Sequence, residues 1–127
     1  MWTGEGESKI LYVQTHGVAD PSRCATPFFL AASAAAMEAE VMIYFTMYGA
    51  TLLQRDVIDT IGPKGEQGQP LRYFVEQATG MGVRLLVCQP SLDLNDLKLE
   101  MLIDGVEMIG GAAFNDLAVE ADEVVSY

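Results

Sequence analysis

The chain has 127 residues, half of them apolar and 20% charged, which suits one globular domain and excludes a disordered chain. Eighteen acidic side chains against seven basic ones give a formal charge of −11. That charge repels phosphate backbones and anionic lipid, so nucleic acid and membrane surfaces are excluded as partners, while a protein with a basic patch would be steered in.

The opening "MWTGEGESKI" has no basic n-region and no apolar h-region, so no signal peptide is expected. The longest apolar stretch, residues 27–53, is broken by Glu38 and Glu40. Neither half reaches the roughly 20 uncharged residues of a membrane span. These features point to the cytoplasm, where two cysteines are free thiols or a redox pair.

In chain order, residues 1–8 are polar and glycine-containing, a flexible N-terminus. One domain is expected over 9–127. "KILYVQTHG" (9–17) reads as a strand. Residues 19–39 form an alanine-rich helix with Asp20 as N-cap and Pro21 first, although Pro27 sits where it would kink the helix or delay its start. "EVMIYFTM" (40–47) is a second strand, and 50–70 is irregular. A helix over 71–82 puts Leu71, Phe74, Val75 and Ala78 on one face and stops at Gly80 and Gly82. "VRLLVC" (83–88) is the third strand. An amphipathic helix over 94–105, a strand over 106–109, a short helix around "AAFNDLAVEA" and a terminal strand "EVVSY" complete the chain.

Strands alternate with helices and are apolar on both faces. The pattern predicts a doubly wound α/β domain with a mostly parallel five-stranded sheet, in the order 2-1-3-4-5. Ligands of such sheets sit at the carboxyl ends of the strands, at the switch point. With the first and third strands adjacent, Cys88, His16 and Cys24 converge on one crevice.

Cys88 ends an apolar strand just before a helix start, whose free N–H groups favour a thiolate. A packed, inert thiol is the competing reading, since free cysteine is among the most buried residue types. Cys24, in the first turn of the expected alanine-rich helix, faces the same choice. His16, the sole histidine, is a hydrogen-bond partner for a sulfur anion or a strand-end ring without function. No CxxC or HxxxH spacing supports a metal, and "GPKGEQG" lacks the spacing of a phosphate loop. Met101 and Met108, with Leu97, Leu102, Ile103, Ile109 and the group Tyr44, Phe45, Met47 and Tyr48, offer either core or subunit interface.

The segment "GVRLLVCQPSL" (82–92), the opening "KILYVQTHG" and the ending "DLAVEADEVVSY" (116–127) resemble the DsrE/DsrF-like family, which includes TusD-like sulfur-relay proteins. The resemblance spans essentially the whole chain. It implies a five-stranded α/β domain assembled into homotrimers or larger rings. It also implies that the cysteine matching Cys88 accepts sulfur as a persulfide and passes it to a partner such as a TusA-like carrier, with no cofactor and no metal. Nothing carries over to Cys24 or His16. Gln89 and Pro90 stand where several relatives have small residues, and the sequence is more similar to the stand-alone branch associated with sulfur oxidation. Such chemistry calls for an exposed sulfur at the edge of the fold. Two other readings stay open: an oligomeric binding module with Cys88 merely packed, and a Cys24–Cys88 thiol redox protein.

Overall fold

A computed structural model describes residues 1–127. Five strands form one wholly parallel sheet: β1 (Lys9–Gln14), β2 (Glu40–Phe45), β3 (Arg84–Cys88), β4 (Val106–Ile109) and β5 (Glu123–Ser126). Four helices connect them: α1 (Thr26–Ala36), α2 (Leu71–Gly80), α3 (Gln89–Leu94) and α4 (Gly111–Glu120). Short 3-10 turns lie at Pro21–Arg23, Gly49–Leu53, Gly65–Gln67 and Leu99–Met101.

The strand order is β4-β3-β2-β1-β5, not the expected 2-1-3-4-5. Alternating elements fix the class of fold but leave open which way each crossover steps. Here the chain steps the same way from β1 to β2 to β3, so α1 and α2 cover the same face. Their buried residues, Phe28, Ala31 and Ala34 with Leu71, Val75 and Ala78, share one core with Tyr12, Ile43, Phe45 and Leu85. The alanines let α1 lie close to the sheet, and the Phe28 and Phe45 rings meet at 5.6 Å. The return from β4 to β5 passes over the other face. There α4 places Leu117 and Phe114 against Leu11, Val13, Met42, Tyr44, Leu86 and Cys88.

Helix ends account for two further departures from expectation. The alanine-rich helix starts at Thr26 with Pro27 in its first turn, while Pro21 opens a separate 3-10 turn. The helix expected over 94–105 does not form. Instead α3 begins immediately after Cys88, with Pro90 in the first turn, where its missing N–H costs nothing. It stops when Asp96 turns left-handed at φ 54° and the Leu97 N–H returns to the Leu92 carbonyl at 2.9 Å. Glu38, at φ 70°, ends α1 in the same manner. Only α2 uses glycine, Gly82 at φ 87°, for this closure.

Residues 1–8 form no helix or strand, and several of them hydrogen-bond to the domain. The Trp2 indole N–H donates to the Leu117 carbonyl at 3.0 Å, and its ring packs beside the α4 core. The Thr3 and Gly4 N–H groups donate to the Glu40 carboxylate at 2.7 and 2.9 Å.

Candidate functional site

Cys88 is the last residue of β3 and the N-cap of α3. The connection leaving β3 adds Leu92 and Leu102 to the larger core, while the one leaving β4 adds Phe114 and Leu117 to the smaller. Adjacent strands thus release the chain toward opposite faces at the carboxyl end of the sheet, the kind of place where such folds bind ligands. The switch point exists, but at β3 and β4 rather than at the first and third strands.

The sulfur sits on the α4 side, in a setting that is apolar on one flank and hydroxyl-lined on the other. Leu86, Tyr44, Leu11 and Val13 share its core. From the end of β2, the Thr46 hydroxyl lies 3.2 Å from Cys88 Sγ. The register explains the meeting: Phe45 pairs with Val87, so the next residues of the two strands end side by side. The Ser91 hydroxyl, itself buried, donates to the Cys88 carbonyl at 2.7 Å. Asn95 ties the far end of α3 to both sides of the site, its side-chain N–H groups donating to the Ser91 carbonyl at 2.6 Å and the Met47 carbonyl at 2.8 Å.

Burial alone would raise the Cys88 pKa. The Ser91 and Thr46 hydroxyls, the Ser91 N–H and the Tyr44 hydroxyl outweigh it, and the thiol is held below its ordinary value. Only Thr46 makes a formed hydrogen bond to the sulfur. The Ser91 hydroxyl spends its proton on the Cys88 carbonyl, and the Ser91 N–H makes no formed cap bond, so both act through proximity. Pro90 leaves Ser91 as the first N–H after Gln89. In return, burial first and then the neighbouring sulfur push the Tyr44 hydroxyl well above the usual phenol range.

The three residues expected to converge do not. β2 lies between β1 and β3, which separates the ends of the first and third strands by two strand spacings, about 10 Å. Cys24 is fully buried in the larger core, against the opposite face of the sheet from Cys88, and burial pushes its pKa up to about 11. Both cysteines are free thiols. His16 is half-buried at the end of β1, where its Nδ1 lies 3.5 Å from the Thr15 hydroxyl. Nor is the sulfur openly exposed at an edge: Cys88 is 6% exposed. Thr46 and Tyr44 are not legible in the sequence because the expected order puts the second strand at the edge of the sheet, away from Cys88, and Ser91 is not because the next helix is expected only from 94.

The chain belongs to the DsrE/DsrF-like family, whose pattern it matches over residues 8–127. It is similar to "Sulfur carrier protein DsrE2" of Allochromatium vinosum, with 28% identity over 157 aligned positions that cover 91% of this chain and 96% of that one. The alignment is longer than the chain, so the relative carries insertions. Among solved structures, the ychN protein of E. coli superposes with a TM-score of 0.77 at 20% identity, covering 94% of this chain and 99% of that one. MTH1491 of Methanobacterium thermoautotrophicum, a protein of unknown function, gives 0.62 at 14% identity, with coverage of 94% and 97%. These two likenesses speak to the fold alone. No helix is long and apolar enough to cross a membrane.

Proposed function

We propose that this protein is a sulfur carrier that accepts sulfur as a persulfide on Cys88 and passes it to a partner protein. The observation that carries the reading is the Cys88 thiol at the end of β3, hydrogen-bonded by Thr46 and held below its ordinary pKa. Family membership and the similarity to a sulfur carrier protein support it. The thiolate attacks the donor's outer sulfur; an acceptor thiolate later attacks that sulfur on Cys88. A disulfide-like S–S bond adds about 2 Å to the side chain, so the loaded form extends its reactive atom beyond the nearly covered Sγ.

The acceptor we propose is a TusA-like carrier protein, and the charge of −11 favours an acceptor that presents a basic patch. A cytoplasmic location fits two free thiols, and a role in sulfur oxidation is part of the same proposal. A homotrimer fits the half-exposed Met101 and Met108, which a monomer leaves uncovered, whereas Tyr44, Phe45 and Leu102 from the same candidate surface are buried in the cores. His16 and Cys24 have no part in this chemistry.

Incubation with inorganic polysulfide followed by intact-mass analysis tests the reading. The parent gains the mass of one sulfur atom, reversibly on addition of a reducing thiol, and Cys88→Ser does not. Equal gain by Cys88→Ser would remove Cys88 from the role.

A further inference from the structure

Resting on the reading of Cys88 as the sulfur site, we propose that Thr46 is a positioning residue that stabilises the Cys88 thiolate released when sulfur is handed on. Thr46 Oγ1 lies 3.2 Å from Sγ, and the sulfur is the hydroxyl's one hydrogen-bond partner within the protein. A thiol can share its proton in either direction, but a thiolate only accepts, so once the sulfur is charged Thr46 must be the donor.

The hydroxyl is held in place by its backbone. The Thr46 N–H donates to the Gln14 carbonyl at 3.0 Å, and its carbonyl accepts the Gly49 N–H at 2.9 Å. Met47 follows in the left-handed conformation, φ 54°, which a methionine adopts only when its surroundings compel it. The Asn95 side chain holds the Met47 carbonyl at 2.8 Å, and Asn95 also caps the helix that Cys88 opens. Gly49 completes the turn because a Cβ there would lie 2.2 Å from the Gln14 carbonyl oxygen. The turn after β2 and the helix after β3 are thus locked to each other, with Thr46 and Cys88 facing across the join.

The handover step balances without an external oxidant. The acceptor's nucleophile attacks the outer sulfur of the Cys88 persulfide and forms a bond to it. The bond between that sulfur and Sγ breaks, and its electron pair leaves on Sγ as thiolate, which accepts the Thr46 O–H. A better-stabilised thiolate leaves faster, whereas its own attack on a donor is slightly weakened. Thr46 therefore biases Cys88 toward giving sulfur away. Removing it slows release but not loading, once the medium is alkaline enough to ionise Cys88 fully.

Thr46→Val, nearly isosteric, and Thr46→Ser, which keeps the hydroxyl, test this. The pH profile of Cys88 alkylation, read by peptide mass, needs no sulfur chemistry and so stands apart from the carrier reading; polysulfide loading of Cys88→Ser tests that reading by itself. Release is timed with cyanide, which takes the outer sulfur as thiocyanate. Thr46→Val should hold about tenfold less Cys88 thiolate at neutral pH, the effect of one hydrogen bond to a charged group. It should release sulfur about threefold or more slowly while loading at the parent rate at alkaline pH, and Thr46→Ser should restore both. If Thr46→Val does not fold, Thr46→Ala takes its place. A variant with the parent's alkylation profile and release rate overturns the proposal, and so does equal loss in the valine and serine variants.

Discussion

Cys24 and Cys88 pack against opposite faces of one sheet, Cys24 with the core that holds Tyr12 and Phe45, Cys88 with the core that holds Tyr44 and Leu86. The sheet lies between the two sulfurs. A disulfide needs Cα atoms within about 7 Å and side chains aimed at each other, so the pair cannot be bridged without unfolding. Mild peroxide followed by non-reducing peptide mass analysis should show no Cys24–Cys88 linkage in the folded protein. Cys24→Ser should load sulfur like the parent while losing about 1–3 kcal/mol of stability, because it buries a hydroxyl in an apolar core. A linked peptide, or loss of loading in that variant, would restore the redox reading.

The two thiols should also separate by pH. Cys88 is held below its ordinary value, and Cys24 is raised by burial to about 11. Iodoacetamide at neutral pH should therefore modify Cys88 well before Cys24, as resolved by peptide mass. The folded protein keeps the Cys24 proton where the unfolded chain gives it up. Stability is thus present in full below the unfolded thiol's pKa of about 8.5 and declines as pH rises from there toward 11. Cys88 has the opposite sign: its contribution is present above the unfolded pKa and is lost as pH falls through the folded one. Denaturant melts of Cys24→Ala should show a shallower alkaline decline than the parent; an unchanged slope would refute the assignment.

The N-terminal strap should respond to acid. Partial burial acts to raise the Glu40 pKa, but the Thr3 and Gly4 N–H groups, the Thr3 hydroxyl and Arg84 outweigh it, leaving the carboxyl below its usual range. This stabilisation is complete above the unfolded carboxyl's pKa of about 4.3 and is lost as pH falls through the lower folded value. Trp2, the single tryptophan, reports on the strap directly. Its emission should shift to the red over that acidic range, and at neutral pH in Glu40→Gln. Trp2→Ala should cost about 1–2 kcal/mol in a denaturant melt, since it removes a partly buried ring and a hydrogen bond to α4. A strap that stays in place in Glu40→Gln would show that the Glu40 carboxylate does not anchor it.

Much of this architecture is written in local sequence. Apolar runs at 10–13, 41–45 and 83–88 read as buried strands because both their faces are covered, and Gly82 reads as a helix stop because its φ of 87° favours glycine. The stops at Glu38 and Asp96 leave no compositional mark, since left-handed residues with side chains look like any others, and the helix after Cys88 closes at Leu94, where the sequence suggests it begins. Strand order was hidden for a different reason. Both orders obey right-handed crossover, and the choice rests on which face α1 and α2 share, a packing relation between distant residues such as Phe28 and Val75. The candidate nucleophile was therefore legible at Cys88, while its partners Thr46 and Tyr44 were not, because they come from a strand whose place in the sheet had to be known first.

The most direct test of Cys88 as a carrier follows the sulfur itself. The protein is loaded with radiolabelled polysulfide, freed of excess reagent and mixed with an unlabelled TusA-like protein, and the label on each chain is counted over time. Label should leave the parent, appear on the acceptor's cysteine in matching amount, and never enter Cys88→Ser. Label that stays on the parent in the presence of the acceptor, or that moves as readily through Cys88→Ser, would contradict the carrier reading.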